Sequence, residues 1–277
     1  MNIYAVHLIV FSPTHTSKQV GEAIVRGTGF PEVSETDLTL QSMDTLEIPE
    51  DQLVVISVPV YGGKVAPLAL ERLKGIHTSG APVVLAVVYG NRAYEKALAE
   101  LDAFVSDRGF KVIAGATFVG EHSYSTEKNP IAVGRPDADD LQFAEAFGGK
   151  VRSKIEAAVD MEKLYAVDVN RIQRPRQPFF PLFRFLRKVV KLRKSGVPMP
   201  RIPAVDAELC THCGYCVVHC PAGAIVKGDE CNTDATKCIR CCACVKGCPK
   251  NARTFDTPFA ILLADCFKRQ KENRILL

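Results

Sequence analysis

The sequence lacks several features that would assign it to common classes of protein. No apolar run is long enough to span a membrane, and the first residues, MNIYAVHLIVF, lack the basic start and cleavage site of a secretion signal. No G-x-G-x-x-G loop follows an apolar strand, and no nucleophile and base are recognisable together. We therefore expect a cytoplasmic protein without direct hydride exchange to a nicotinamide and without covalent catalysis.

Acidic residues are missing from residues 169–205, which carry ten lysines and arginines. The whole chain has a net charge of +4, so the remainder sums to −6. Residues 182–194, LFRFLRKVVKLRK, have the pattern of a basic amphipathic helix. Its predicted apolar face contains Leu182, Leu186, Val189 and Val190, and its predicted basic face contains Arg184, Arg187, Lys188, Lys191 and Lys194.

Three roles are open for this basic helix: packing between domains, contact with a membrane surface, or docking of an acidic partner protein. Nucleic acid is not expected, because no recognition motif accompanies the charge.

Cysteine, by contrast, is abundant, with eleven residues. The run C-x2-C-x2-C-x3-C-P occurs twice, at an offset of 28 residues. The first run contains Cys210, Cys213, Cys216 and Cys220, and the second contains Cys238, Cys241, Cys244 and Cys248. Other residues repeat at the same offset, including Asp206 with Asp234 and Ala224 with Ala252. The region is therefore a duplicated unit.

Zinc and disulfides explain this pattern poorly. Structural zinc sites pair two C-x2-C knuckles and do not add a third cysteine at the same interval. An odd number of cysteines without a secretion signal argues against a disulfide framework. The remaining cysteines, Cys231, Cys242 and Cys266, are interpreted as spare, with an electronic or ligand role as the alternative for Cys242. His212 and His219 are interpreted as surface residues, with tuning of a nearby redox site through hydrogen bonds as the alternative.

In such runs three close cysteines hold one iron–sulfur cluster, and the fourth ligates the cluster of the other repeat. Residues 204–256 resemble the bacterial two-cluster ferredoxins, which implies two 4Fe-4S clusters. We assign Cys210, Cys213, Cys216 and Cys248 to one cluster and Cys238, Cys241, Cys244 and Cys220 to the other. A segment this short cannot bury enough apolar surface to fold alone, so we expect it to be unfolded without iron.

The first 165 residues alternate apolar, β-branched stretches with helical patterns, which predicts a parallel sheet covered on both faces. A weaker strand, SETDLTL at 34–40, is expected at an edge. The predicted fold is a doubly wound α/β domain with five parallel strands, and ligands are expected beyond the carboxyl ends of those strands. The four strong strands are predicted at 3–11, 53–60, 82–90 and 111–120.

The loop after the first strand is rich in hydroxyl groups just before a predicted helix, a combination that suits a phosphate. It contains Ser12, Thr14, His15, Thr16 and Ser17. This loop resembles the first loop of flavodoxins, S/T-x-T-G-x-T, which implies FMN binding. The departure is His15, which stands where that pattern has glycine.

Two further strand ends extend this resemblance to flavodoxins, which hold a flavin ring against aromatic and glycine-rich loops. Tyr61 and Tyr89 are the predicted stacking residues. Gly62, Gly63, Gly90 and Asn91 are the predicted backbone or edge contacts. The segment after the fifth strand exceeds normal loop length, and we expect it to act as a lid or docking surface with His122, Tyr124 and Ser125 near the flavin edge.

The whole chain resembles a flavodoxin-like domain fused to a bacterial-type two-cluster ferredoxin. The predicted domains are an FMN domain at 1–165, a basic linker at 166–203, a ferredoxin domain at 204–256 and a helical tail at 257–277. The resemblance implies electron transfer with redox partner proteins at both ends. A flavin-dependent reductase of a small substrate and a cluster-based redox sensor are alternatives, and the sequence does not determine the oligomeric state.

Overall fold

The computed structural model describes residues 3–277, which form two compact units. The first unit comprises the described residues up to Gly120, Gly134–Pro175 and Lys271–Leu277. The second comprises Glu121–Val133 and Arg176–Gln270. These bounds differ from the predicted domains, because the second unit takes in part of the long loop and the first takes in the end of the tail.

The first unit is built on a mostly parallel sheet with the strand order β2-β1-β4-β7-β8. Its elements are β1 Ala5–Val10, α1 Thr16–Thr28, β2 Glu32–Asp37, β3 Leu46–Ile48, β4 Gln52–Tyr61, β5 Lys64–Val65, α2 Pro67–Leu73, β6 Ile76–Thr78, β7 Pro82–Tyr89, α3 Ala97–Ser106, β8 Lys111–Val119, α4 Ala138–Ala157 and a short 3-10 turn, Val169–Arg171. Counting only the parallel core strands, this order is 2-1-3-4-5, that of the flavodoxin-like doubly wound fold. The predicted fold class and its five core strands are confirmed.

The core strands have few polar residues because helices cover both faces of the sheet. All six residues of β1 and all eight of β7 are buried. The edge strand β2 differs, since its first four residues are exposed and it pairs only with β1. The prediction that this weaker strand lies at an edge is confirmed.

Helices α1 and α4 pack with their backbones in close approach. A Cβ atom added to Gly27 would lie 1.9 Å from the carbonyl oxygen of Glu145, and one added to Gly148 would lie 2.1 Å from that of Ile24. Only glycine leaves room for this contact, so it fixes where α4 lies on α1.

Two additions enlarge the parallel sheet. Strand β5 pairs antiparallel with the end of β4, and β11, Arg274–Leu276, pairs antiparallel with β8 at the opposite edge from β2. A separate two-stranded sheet joins β3 to β6. The prediction of a helical tail over 257–277 is therefore wrong for its last residues, because an open sheet edge offers backbone hydrogen bonds to a terminal segment.

The second unit has little regular structure. It contains α5 Phe179–Lys194, β9 Ala204–Val205, α6 Tyr215–Val218, α7 Ala243–Lys246, β10 Arg253–Thr254 and α8 Pro258–Cys266. Strands β9 and β10 pair antiparallel and join the start of one cysteine repeat to the end of the other. Helices α5 and α8 pack together through a small apolar cluster that includes Phe185, Val189 and Leu263.

Helix α5 forms where the basic amphipathic helix was predicted, but its faces are divided differently. Val189 is buried and Leu182 is half-buried against α8, whereas Leu186 and Val190 are about half exposed. The four predicted residues lie on one apolar arc of the helix, but α8 covers only the part with Leu182 and Val189 and leaves Leu186 and Val190 exposed. The 3.6-residue periodicity gives the width of an apolar arc but not the part of it that a neighbour covers.

Candidate functional site

The two cysteine repeats line two cavities of similar size. The first is lined by Cys210, Cys213, Cys216 and Cys248, and the second by Cys220, Cys238, Cys241 and Cys244. Each cavity thus receives three cysteines from one repeat and the last cysteine from the other, the grouping expected for crossed cluster ligation.

The duplication seen in the sequence is also a duplication of backbone conformation. Corresponding residues of the two repeats adopt positive φ angles: His212 and Arg240, Gly214 and Cys242, and Gly223 and Asn251. The backbone N–H of Asp206 donates to the carbonyl of Ala252, and that of Asp234 donates to the carbonyl of Ala224, both at 2.8 Å. The repeats therefore fold as one symmetric unit in which each completes the other.

The crossing cysteines are also held alike. Ala224 donates its N–H to the Sγ of Cys220, and Ala252 donates to the Sγ of Cys248, both at 3.3 Å. Such N–H···S contacts orient a sulfur and stabilise negative charge on it.

Cys242 occupies the position that glycine holds in the first repeat. Its φ is 60°, its side chain is 2% exposed, and its thiol lies 3.7 Å from the carbonyl oxygen of Arg240. It lines the second cavity beside Cys241 and Cys244 without being needed for a set of four ligands. Its interpretation as spare stays a prediction.

Burial governs the ionisation of the cysteines in the second cavity. It raises the pKa of the Cys241 thiol to about 12 and that of Cys244 to about 11. Without a metal these groups are therefore protonated thiols at neutral pH. Iron binding would displace the protons, since thiolates are the ligands of iron–sulfur clusters.

Arg253 is a charged residue of this site that the motif search did not single out. Its guanidinium is 4% exposed, lies 3.7 Å from the Sγ of Cys244 and donates to Thr233 Oγ1 at 3.1 Å. It also lines the first cavity. The sequence contains one indication of this role. The first repeat has Ile225 at the position that corresponds to Arg253, so the two repeats differ there in residue type.

A small polar group adjoins the first cavity. The ligand atoms of Cys210, His212 and Cys231 lie within 4.8 Å of one another. His212 Nδ1 is 2.9 Å from Glu230 Oε2, and the pKa of Glu230 is lowered to about 2, first by the backbone N–H of Gly228 and then by His212. His212 is exposed, as predicted, and also has a carboxylate partner.

His219, the other histidine of the first run, stacks on Tyr215 with ring centroids 3.9 Å apart. Cys266 is buried in the cluster between α5 and α8.

In the first unit, the hydroxyl-rich loop leads into the N-terminus of α1. His15 adopts the left-handed conformation, with φ 66°, immediately before the helix. The histidine therefore takes up a conformation that favours glycine.

The hydroxyl groups of this loop have different environments. Ser12 is held internally, since it accepts from the N–H of Lys18 at 3.0 Å and donates its own N–H to Thr39 Oγ1 at 2.8 Å. Thr14 and Thr16 are half-buried, and the described part of the chain gives their hydroxyls no hydrogen-bond partner. The hydroxyl of Ser17 is buried and has no partner among the described residues either.

Thr39, which follows β2, is a residue of this site that the sequence analysis did not identify. Its signal was a polar residue beyond the carboxyl end of a neighbouring strand. Lys18 is directed to β2 as well, where it forms ion pairs with Glu35 and Asp37.

The loops after β4 and β7 lie together, as strand ends at one edge of a sheet should. The N–H of Lys96 donates to the carbonyl of Gly63 at 3.0 Å, and a Cβ atom at Gly63 would meet the side chain of Glu95 at 2.6 Å. Gly62 has φ 64° and open space around it, and Tyr61 is half-buried beside it. A planar ligand could therefore approach the backbone at Gly62.

The loop after β7 is more enclosed than predicted. Tyr89 is 2% exposed, packs edge-on against Tyr94 at 5.7 Å, and has a hydroxyl without a partner among the described residues. Its ring presents no free face, so its position does not suit the stacking role predicted for it. Gly90 is half-buried, and Asn91 is 1% exposed and accepts from the N–H of Lys271 at 2.9 Å.

The long loop belongs largely to the second unit, where Tyr124 packs against Phe255 at 5.0 Å and against His122 at 4.9 Å. Burial raises the pKa of Tyr124 to about 12. Lys246 of the second cysteine repeat binds this loop, donating to the carboxylate of Glu121 and, at 2.9 Å, to the carbonyl of Ser125. The segment is thus a packing partner of the second repeat.

Taken on their own geometry, the residues of the first unit fit an FMN phosphate at the start of α1. Unpaired hydroxyls and the free N–H groups of a first helical turn are the groups that bind phosphate. For the flavin ring, the first unit has Tyr61 and the adjoining glycine loop, Gly62 and Gly63.

Comparison with known protein families identifies one segment of the chain. The 4Fe-4S binding domain family matches residues 202–225, which contain the first cysteine run. No curated protein matches the chain. The arrangement of cysteines and this match indicate an iron–sulfur protein of electron transfer.

Solved structures similar to the chain include flavodoxins. One from the domain Archaea is 13% identical, covers 55% of this chain and 99% of its own, and has a TM-score of 0.38. The flavodoxin of Streptococcus pneumonia TIGR4 is 14% identical, covers 53% and 99%, and has a TM-score of 0.35. That of Megasphaera elsdenii is 14% identical, covers 52% and 98%, and has a TM-score of 0.32. The fold assignment rests on the strand order given above.

No helix among residues 3–277 is both long enough and apolar enough to cross a membrane.

Proposed function

We propose that this protein binds two 4Fe-4S clusters and one FMN and transfers electrons between them. The observation that carries the proposal is the division of eight cysteines into two cavities, four to each, with the last cysteine of each repeat in the cavity of the other. Two cluster sites formed by crossed ligands are the arrangement for which this spacing is known.

In this proposal Cys210, Cys213, Cys216 and Cys248 ligate one cluster, and Cys238, Cys241, Cys244 and Cys220 ligate the other. The N–H groups of Ala252 and Ala224 hold the sulfurs of the crossing cysteines. Arg253, buried between thiols of both sets, favours added negative charge and therefore electron uptake at the clusters.

The FMN phosphate is bound at the N-terminus of α1 by Thr14, Thr16 and Ser17, with His15 supplying the left-handed turn. Ser12 supports this loop through its bonds to Lys18 and Thr39. Tyr61 stacks on the flavin ring, and Gly62 and Gly63 let the backbone approach its edge. Gly90 and Asn91 shape the neighbouring loop.

Clusters exchange single electrons and a flavin exchanges one or two, so a chain that holds both links one-electron and two-electron redox partners. The protein surface then has to meet redox partner proteins.

Cofactor content tests the proposal directly. Protein purified without oxygen should contain about eight irons and eight sulfides, since each cluster has four of each, and one FMN per chain. A content of four irons per chain would contradict the second cluster. Absence of bound flavin after incubation with FMN would contradict the assignment of an FMN site to the first unit.

Electron exchange within one molecule is tested by stopped-flow absorbance. Because the cofactors share one chain, flavin bleaching after cluster reduction should have a rate independent of protein concentration over a tenfold dilution. The matched control mixes the Cys213→Ser, Cys241→Ser variant loaded with FMN with wild-type protein from which FMN has been removed, so that transfer must occur between molecules and become second order. Second-order kinetics in the intact protein would contradict the proposal.

A further inference from the structure

Helix α5 has one face that the second unit already covers. Phe185 and Val189 are 6% and 8% exposed and pack against residues of α8. On the adjoining side, Arg184 and Lys188 form ion pairs with Asp265 of α8. Packing and charge pairing therefore account for this side of the helix.

The other face carries a continuous row of exposed apolar side chains. Phe179, Phe183, Leu186 and Val190 follow one another at intervals of four, three and four residues, which places them along one line of the helix. Their exposed fractions are 74%, 56%, 53% and 51%, and Phe180, beside them, is 80% exposed. Single exposed apolar residues are normal in proteins, but a contiguous row with two or three phenylalanines marks an interaction surface.

Basic residues flank this apolar row. By helical spacing, Arg187, Lys191 and Lys194 lie along one side of it and Arg193 along the other. All four are exposed, and the ion pairs of α5 in the described chain involve only Arg184 and Lys188. No acidic residue occurs between residues 169 and 205.

We propose that this face of α5 binds the surface of an anionic membrane, with the helix lying in the plane of the interface. Phenylalanine, leucine and valine would enter the boundary between headgroups and acyl chains, and the flanking arginines and lysines would contact anionic headgroups. The helix, Phe179–Lys194, is shorter and far more charged than a spanning segment, so it lies on the bilayer. An acidic partner protein would account for the charges but leave the row of phenylalanines unexplained.

Flotation of the cofactor-loaded protein with lipid vesicles tests the apolar part. Binding is expected to vesicles of phosphatidylcholine with about one third phosphatidylglycerol, on the rule that charge and apolar area add. Replacing Phe183, Leu186 and Val190 together by serine should weaken binding at least about tenfold, since each loses apolar area in the interface. The matched control is Val218→Ser with Val226→Ser, two exposed valines outside α5, which should bind as the wild type does.

The charged part is tested by changing Arg187, Lys191 and Lys194 to glutamine. Each basic residue near an anionic surface contributes roughly fivefold, so the triple variant should bind about a hundredfold more weakly. Wild-type binding should fall between 0.05 and about 0.5 M salt, because the Debye length shrinks well below ~10 Å, and it should be weak on pure phosphatidylcholine. Iron content identifies any variant that has lost its fold.

A tryptophan probe reports insertion without removing the apolar surface. The chain has no tryptophan, so Leu186→Trp introduces a single reporter. Its emission should shift to the blue on anionic vesicles, whereas Val218→Trp should not respond. The proposal is overturned by absence of vesicle binding, by an unshifted Leu186→Trp emission, or by a serine variant that binds like the wild type. Equal binding of wild type and serine variant to soluble polyglutamate, without vesicle binding, would assign the surface to an acidic protein instead.

Discussion

The two units of this protein reach a stable fold by different means. In the first, every residue of β1 and β7 is buried and the core continues through Phe118, Phe147 and Val151. In the cysteine repeats, the buried cluster comprises Cys216, Ile225 and Cys244, with a few neighbours half-buried, around two cavities. Apolar burial stabilises the first region. In the second region, cysteines that could ligate a metal occupy the place of an apolar core.

The two regions should therefore differ in their response to the loss of a bound ligand or metal. A sheet with a dense core stays folded when a ligand leaves, because its stability comes from its own side chains. A short segment held by metal ligands gains its folding free energy from metal binding and loses it with the metal.

Removal of iron should have the largest effect and tests the contrast directly. Chelation under reducing, oxygen-free conditions should unfold residues 204–256 and leave the first unit folded, because apolar burial does not depend on iron. Hydrogen exchange of backbone amides would measure this: protection should vanish around α6 and α7 and persist in β1, β4 and β7. Persistent protection in the repeats would contradict the idea that iron replaces a core there.

Replacement of a crossing cysteine should remove one cluster and retain the other. Cys220→Ser should damage the cluster assigned to Cys238, Cys241 and Cys244, because Cys220 lines their cavity. About four of eight irons should remain, with the cluster of its own repeat intact by electron paramagnetic resonance. The control, Cys231→Ser, should retain all the iron, and loss of the Cys210-containing cluster in Cys220→Ser would contradict crossed ligation.

Within the first unit, Asp140 gives a smaller, pH-dependent effect. It is 4% exposed, pairs with Arg135 and accepts from Asn273 Nδ2 at 2.7 Å, so it ties α4 to the segment before β11. Asp140→Asn should destabilise the unit by about 2 to 3 kcal/mol at pH 7, because it leaves a buried guanidinium with a weaker partner. Thermal unfolding followed by circular dichroism of both proteins would measure the difference.

The pH dependence of that difference has a definite sign. Burial raises the pKa of Asp140. Hydrogen bonds from Arg135, from the N–H of Asp137 and from Asn273 together lower this pKa by more than burial raises it, so it lies below the usual value. The stabilisation is therefore complete above the unfolded pKa of ~3.9 and is lost as the pH falls through the folded pKa. The two proteins should converge in strong acid, and a gap that widens there would exclude this assignment.

The smallest effect is expected at the phosphate loop. Thr14→Val removes one hydroxyl and leaves the backbone of α1, so FMN affinity should fall about tenfold, the loss of roughly one charge-assisted hydrogen bond. Fluorescence titration of FMN into flavin-free protein would measure it. Tyr89→Phe is the matched control, because the Tyr89 ring is covered, and its affinity should stay that of the wild type. A larger loss of FMN affinity in Tyr89→Phe than in the threonine variant would contradict the phosphate assignment and indicate that FMN binds at the loop after β7.

Much of this protein could be predicted from local spacing. Runs of apolar, β-branched residues predicted four of the five core strands, and a weaker pattern at 34–40 predicted the fifth at an edge. Hydroxyl-bearing residues before a helical segment predicted where α1 begins. Two identical cysteine runs predicted a duplicated unit, and the structure has matching backbone angles at His212 and Arg240. These features depend on residues that are neighbours in sequence, because periodicity and ligand spacing are properties of one segment.

Tertiary structure alone decided the rest. Tyr89 lost its predicted stacking face because Tyr94 and the surrounding residues cover it. Part of the apolar arc of α5 stayed exposed because α8 covers only the rest. The tail ended as a strand because β8 had an open edge, and the long loop joined the second unit through Lys246. Each outcome depends on which distant segment makes the contact. A sequence pattern indicates which residues are apolar enough to be buried, but it does not indicate which segment will cover them.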